Sequence, residues 1–326
     1  MSIGKSGGES SQIGMDKKIA IVSSTQKGLD LFRFFSKLGY GISCYVTIDS
    51  ETASRNKVSG YVNAGEELRG EVKVHYVKSY DLKEPIDVSY FKTTNYDLLV
   101  LGGWQRLIPK EILSTLSIGA LGTHGSSEML PKGRGRSPLN WSIIQRKTRF
   151  VISLFKVREG VDDGDIYGHK TFDINHWDDI KSLYYKNSIA TEALLEEFIP
   201  GIISGTGKAI PQIGDPSYYE KRTEKSGLID WENMDVFEIH NLIRATTRPY
   251  PGAFSRYNGA KLVLWKGVPF DTRLEWPRAQ YGEIVRLFND AFLVKCLSGS
   301  LLVTEFDLDS NMELYEGMVI SSNELG

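Results

Sequence analysis

The stretch Ile19-Ala-Ile-Val-Ser-Ser-Thr-Gln-Lys-Gly-Leu-Asp-Leu-Phe-Arg-Phe-Phe-Ser-Lys-Leu-Gly39 changes its hydrophobic period within a few residues. Ile19 to Val22 is a continuous apolar run of strand length that stops at Ser23-Ser24-Thr25. Leu29, Phe32, Phe35 and Leu38 then recur at helical spacing and Gly39 closes the helix, after which Cys44-Tyr-Val-Thr-Ile48 reads as a second strand. The alternation continues with strands expected at 72–77, 98–101, 120–123 and 150–155, and helices at 109–116 and 138–145. Strands alternating with helices imply an α/β class, with a mostly parallel Rossmann-like sheet and helices on both faces. Ligands of such sheets sit beyond the carboxyl ends of the strands, where the strand order reverses.

A length of 326 residues suggests two domains. A long helix is expected from Asp178 to Phe198, ended by Pro200-Gly201. The polar stretch 212–227 reads as a linker, which gives a domain at 15–211 and a second at 228–326. The tail offers one helix, near 234–245, and short apolar runs with turn residues at roughly ten-residue spacing, as in a small β domain or open barrel. Residues 1–14 are rich in Gly and Ser and lack the apolar core of a signal peptide, so they are expected to be a disordered extension ahead of Met15.

Lys and Arg total 39 against 41 for Asp and Glu, a net charge of -2, which provides no bulk attraction to nucleic acid or anionic lipid. No apolar run reaches the length of a membrane span. The two cysteines, Cys44 and Cys296, have neither CxxC spacing nor a second pair, which disfavours a disulfide framework or a Cys-based metal site and suits a cytoplasmic setting.

Three stretches could carry chemistry. Gly122-Thr-His-Gly-Ser-Ser-Glu-Met-Leu-Pro-Lys-Gly-Arg-Gly-Arg-Ser-Pro-Leu-Asn-Trp141 begins at a strand end and puts His124, able to move protons near neutral pH, at the carboxyl edge of the sheet. Ser137-Pro138 marks a helix start, with Lys132, Arg134 and Arg136 beside it as ligands for a phosphate or carboxylate; a solvated glycine-rich loop explains the same residues. Gly160-Val-Asp-Asp-Gly-Asp-Ile166 crowds three carboxylates, which repel unless one is protonated or paired with a histidine. Gly102-Gly-Trp-Gln-Arg-Leu-Ile-Pro109 allows a bend and close backbone approach to a flat ligand, or serves simply as a strand-to-helix connection.

In order and spacing these motifs resemble the formyltransferase family that includes glycinamide ribonucleotide, methionyl-tRNA and nucleotide-sugar N-formyltransferases. The matches are His124-Gly-Ser126, Leu130-Pro-Lys-Gly-Arg-Gly135 and Gly160-Val-Asp-Asp-Gly-Asp-Ile166. The resemblance implies His124 as catalytic histidine and Asp162 as its carboxylate partner. It implies that Gly103, Trp104, Arg106, Leu107 and Ile108, with Gly160, Val161, Asp163 and Asp165, hold the pterin of 10-formyltetrahydrofolate, the formyl donor. The family's Asn, whose amide polarises the formyl oxygen, is replaced here by Gly122. Its substitutes could be Asn140, the backbone amides of 125–127, or the hydroxyls of Ser126 and Ser127.

Gly135-Arg-Ser-Pro-Leu-Asn-Trp141 and Tyr218-Tyr-Glu-Lys-Arg-Thr223 look most like the nucleotide-sugar branch. Ser126, Lys132, Arg134, Arg136, Lys221 and Arg222 would suit the polar and pyrophosphate groups of a nucleotide-linked amino sugar. Tyr218, Tyr219 and Trp231 would stack on base or sugar, or else simply pack. The expected partners are this sugar and a second copy of the chain, with no metal, nucleic acid or membrane. The alternatives are a methionyl-tRNA formyltransferase and a binding protein that has lost turnover with the Asn.

Overall fold

The computed structural model describes residues 17–310 and 312–322, so the expected N-terminal extension lies outside the described residues. Along the chain run β1 (Ile19–Val22), α1 (Gln26–Lys37), β2 (Ile42–Thr47), α2 (Ser50–Arg55), α3 (Ala64–Glu67), β3 (Val74–Tyr76), α4 (Pro85–Thr94), β4 (Leu98–Leu101), α5 (Lys110–Leu113) and β5 (Gly119–Ser126). Then come β6 (Arg134–Gly135), α6 (Pro138–Ile144), β7 (Arg149–Lys156), β8 (Ile166–Asp173), α7 (Ile180–Ser204) and β9 (Tyr218–Tyr219). The remainder is α8 (Val236–Thr246), β10 (Ala253–Tyr257), β11 (Ala260–Asp271), β12 (Ile284–Leu287), β13 (Phe292–Lys295) and β14 (Ser300–Leu308). The chain divides into two compact units, one of residues through Arg134 with 151–172 and 187–217, the other of 135–150, 173–186 and the residues from 218 onward. A single cut at 212–227 would place 135–150 and 173–186 with the first unit, whereas their packing groups them with the second.

Seven strands form one sheet in the order β3-β2-β1-β4-β5-β7-β8. β1 is parallel to β2 and β4, and β4 to β5, while β7 runs antiparallel to β5. All four residues of β1 are fully buried, as expected for a central strand covered on both faces. The strand order reverses between β1 and β4, which opens the ligand crevice there. Helix α1 leaves β1 at that point, burying Leu29, Leu31, Phe32 and Phe35. Its first turn sits directly on the sheet: a Cβ at Gly28 would stand 2.1 Å from Ser23 Cβ, and one at Gly102 only 2.8 Å from the Cα of Gly28. Only glycine at both positions permits that approach.

Two sequence expectations give way. Pro200 does not end α7, which continues to Ser204 and buries Ile199, Ile202 and Ile203 on the way. The apolar pattern outweighs the hydrogen bond that proline removes. Ser137 does occupy the N-cap position of α6, but at φ 56° its side chain makes no capping bond.

In the second unit five antiparallel strands form a sheet of order β10-β11-β14-β13-β12. Its two edges meet through one segment: Ser321 exchanges backbone hydrogen bonds with Arg256 beside one edge, and Ile320 N and Ile284 N bond Gly282 O and Met318 O at the other. The sheet is thereby closed into a small barrel over Trp231, Ile239, Leu264, Phe292 and Val303.

A buried carboxylate organises the start of α7 in the same unit. Asp178, only 3% exposed, accepts from Asn175 N (2.7 Å), Ser182 Oγ (2.9 Å) and Lys186 Nζ (2.6 Å). Burial opposes its charge, yet these donors hold its carboxyl below the usual range. Stability tied to a lowered carboxyl is present above the unfolded-state value and is lost as pH falls through the folded one. Asp178→Asn should therefore destabilise the protein by about 1–3 kcal/mol at pH 7. The gap to the wild type should close below about pH 4 in urea titrations at several pH values, and a gap that stays constant with pH would contradict this account.

Candidate active site

β4 pairs with β5 only as far as Leu121, whereas β7 accompanies β5 to Ser126, so 122–126 project beyond one neighbour into the crevice. There His124 Nδ1 lies 3.3 Å from Asp162 Oδ2, and its Nε2 lies 2.8 Å from Gly133 O. Both neighbours accept, so a proton on either ring nitrogen finds a partner, and the ring is suited to taking up and handing on a proton. The His side chain is 9% exposed and the Asp side chain 22%, which leaves the pair partly desolvated but reachable.

Asp162 adopts φ 49°, a left-handed conformation that Asp tolerates better than most residues. Gln212 fastens it, with Nε2 donating to Asp162 O (2.7 Å) and Gly164 O (2.8 Å). Arg134, 9% exposed, donates in turn to Gln212 Oε1 (2.6 Å). Arg134, expected to meet substrate phosphate, therefore fixes the acidic loop. Gln212, expected to open a linker, is bonded into the first unit, and no motif marks it.

Lys27, in the first turn of α1, was not among the sequence candidates. Its Nζ donates to Thr123 Oγ1 (2.7 Å), next to His124. Burial lowers its ammonium to about 8, partly countered by the nearby Asp162 carboxylate. The available signal was positional: a cation at the start of the helix that leaves the central strand at the crevice.

The space at Gly122 is filled, because a Cβ there would meet Phe155 Cζ at 2.9 Å and Val157 Cγ2 at 3.1 Å. Of the substitutes considered for the missing amide, Asn140 lies in the second unit, and its buried Oδ1 has no hydrogen-bond partner. Its Nδ2 donates to Ala245 O (2.7 Å), a packing role tying α6 to the end of α8. Ser126 Oγ accepts from Glu128 N (3.2 Å), while the buried Ser127 hydroxyl has no partner. Trp231 is likewise core: it is 2% exposed, donates to Ser255 Oγ and offers no face to a ligand.

Both expected pterin loops lie in the first unit. Gly103 sits against Thr25, and Trp104 packs edge-on to Tyr80, over which Arg106 lies 4.8 Å from the ring centroid. Leu107 is exposed and Ile108 buried. Gly160 leaves room for the Asp163 carboxylate, Val161 is exposed, and Asp165 pairs with Arg158 at 2.6 Å. Trp104 Nε1 and Asp163 Oδ1 are buried without partners, one donor and one acceptor in the loops expected to hold a heteroaromatic ring. Beside Asp163 a cleft of about 450 Å³ is lined by Lys110, Leu113 and Arg158.

Of the remaining substrate candidates, Lys132 is half-buried in the first unit. In the second, Arg136, Tyr218 and Lys221 are exposed, and Tyr219 stacks on Trp141. Arg222 lies 5.8 Å from the Trp141 ring centroid, with its guanidinium lowered by burial. Among the described residues no His, Cys, Asp and Glu group could hold a metal ion, and no helix is long and apolar enough to cross a membrane.

Restoring the family's side chain should be resisted sterically. Gly122→Asn is expected to destabilise the protein by about 1–3 kcal/mol as Phe155 and Val157 are displaced. Denaturant midpoints check this, and an unchanged midpoint would mean that the Phe155 ring yields freely.

Comparison with known proteins agrees with the three sequence motifs. A family model described as formyl transferase matches residues 55–199, and one described as its C-terminal domain matches 221–315. The bifunctional polymyxin resistance protein ArnA of Wigglesworthia glossinidia brevipalpis is 33% identical over 231 residues. That alignment takes in 71% of this chain and 34% of ArnA, so the chain spans about a third of that relative's length. Among solved structures, HypX from Aquifex aeolicus in complex with tetrahydrofolic acid superimposes with a TM-score of 0.62 at 20% identity, over 89% of this chain and 44% of HypX. The N-formyltransferase from Helicobacter canadensis in complex with folinic acid and dTDP-3-aminofucose gives 0.62 at 18% identity, over 89% of this chain and all (100%) of the other. At these identities the structural likeness speaks for the fold, while the two sequence models, which together take in both compact units, carry the assignment: the chain belongs to the formyl transferase family.

Proposed function

We propose that the chain transfers the formyl group of 10-formyltetrahydrofolate to the amine of a nucleotide-linked deoxyamino sugar destined for a surface polysaccharide. The observation that carries this reading is the pairing of His124, on the projecting end of β5, with Asp162 of the loop between β7 and β8. The neutral amine attacks the formyl carbon, forming the new C–N bond as the bond to the folate N10 breaks. His124 accepts the proton leaving the attacking nitrogen and returns it to N10, and Asp162 keeps the ring oriented; a positioned acid–base group of this kind contributes about 10²–10⁴ in rate. The unpartnered Trp104 Nε1 and Asp163 Oδ1 match the acceptors and amino donors of a pterin ring.

The sugar as acceptor is supported by the ArnA relative and by the dTDP-3-aminofucose held in the Helicobacter canadensis structure. Lys132, Arg136, Lys221 and Arg222 suit a diphosphate, and Tyr218 and Tyr219 suit a base. On this reading the first unit, which holds His124 and Asp162, is the catalytic one, and the unit that takes in 228–326 is the C-terminal one.

The test incubates the protein with 10-formyltetrahydrofolate and a panel of nucleotide-linked amino sugars and looks by mass for an added formyl group. His124→Asn should lower the rate at least about 10²-fold with an unchanged melting profile. Formylation of initiator methionyl-tRNA instead of the sugars would move the assignment to that branch. Folate-induced stabilisation with no turnover on any acceptor would make the chain a binding protein.

A further inference from the structure

Lys27 is a cation that the fold brings to the crevice, with its Nζ hydrogen-bonded to Thr123 Oγ1 and within electrostatic reach of the Asp162 carboxylate. Its position is tightly determined. It precedes Gly28, whose lack of a side chain lets the first turn of α1 rest on Ser23, Tyr45 and the Gly102 backbone, and Thr123 stands between Gly122 and His124 on the projecting end of β5. A half-buried ammonium has three donors, and the neutral hydroxyl of Thr123 accepts one of them. Asp162, the carboxylate partner of His124, acts on the same ammonium, and the site needs a donor that Gly122 cannot supply.

We propose that the Lys27 ammonium, held by Thr123 next to His124, donates a hydrogen bond to the formyl oxygen of the folate donor and stabilises the negative charge that develops there during transfer. The inference rests on the formyl-transfer reading and names the group that replaces the family's side-chain amide. Lys27 keeps its protons throughout, while the transferred proton passes from the attacking nitrogen through His124 to N10. A cation in a partly desolvated site is a stronger donor than a neutral amide, so the exchange need not lower the rate.

The experiment compares wild type, Lys27→Met and Lys27→Arg in three measurements. The first is transfer to the amino-sugar panel, where Lys27→Met should lose about 10²-fold or more in kcat with a much smaller change in KM, and Lys27→Arg should recover part of it. The second is hydrolysis of 10-formyltetrahydrofolate without any acceptor, in which water takes the formyl carbon to give formate and tetrahydrofolate; it should fall in parallel. The third is calorimetric binding of the stable probes 10-formylfolate and folate. Lys27→Met should lose about tenfold in affinity for the first and keep its affinity for the second.

Unchanged transfer, hydrolysis and formyl preference in Lys27→Met would overturn the role of Lys27 and leave formyl transfer standing. Equal loss of both folate affinities would overturn it as well, because that pattern marks a structural residue. A wild type that hydrolyses the donor but formylates no sugar would remove only the acceptor assignment. A wild type that neither hydrolyses nor binds these folates would overturn the formyl-transfer reading and this inference together.

Discussion

Gly102 has no room for a side chain because the Cα of Gly28 stands 2.8 Å from where its Cβ would be. This backbone-to-backbone contact presses the first turn of α1 onto the end of β4 at the reversal of strand order. Most of the site follows from it. It sets where Lys27 emerges and how Gly102-Gly103 leaves the sheet toward Trp104. With β5 extending past β4, His124 then stands at the rim of the same crevice. A larger residue at either glycine would lift the helix, and the charged side chain of its first turn would move with it.

Much of the architecture was legible in the sequence because its physical cause is local. The apolar run Ile19–Val22, the helical spacing of Leu29, Phe32 and Phe35, and the turn-bounded runs of the tail correspond to β1, α1 and the strands of the barrel. What failed depended on tertiary contacts. Pro200 carries a local stop signal, but buried isoleucines on both sides keep α7 going. β8 is not legible in the sequence, because only Ile166 among its eight residues is buried and no apolar run marks it.

The site divides in the same way. His124 and Asp162 were marked by their motifs, and the structure brings them to 3.3 Å. Asn140 and Trp231 stand out in the sequence only by residue type, and in the structure Asn140 Nδ2 donates to Ala245 O and Trp231 Nε1 to Ser255 Oγ. Gln212 and Lys27 were invisible for the opposite reason, since nothing about an isolated Gln or Lys announces which loop it will reach. Gly122 is the instructive case. From the sequence it is a missing functional group, whereas in three dimensions it is a position already occupied by the Phe155 ring.

The Gln212 clasp also bears on when, in the folding of the chain, the active site comes into being. Gln212 lies 50 residues beyond Asp162 and 78 beyond Arg134, and all of α7 intervenes before it returns to them. Closing loops of that length is entropically unfavourable until the intervening elements have packed. His124 can take its place as soon as β5 joins the sheet. The carboxylate loop that orients it is fastened by a residue from the far side of α7, so the acid–base pair depends on a contact that the sheet itself does not supply.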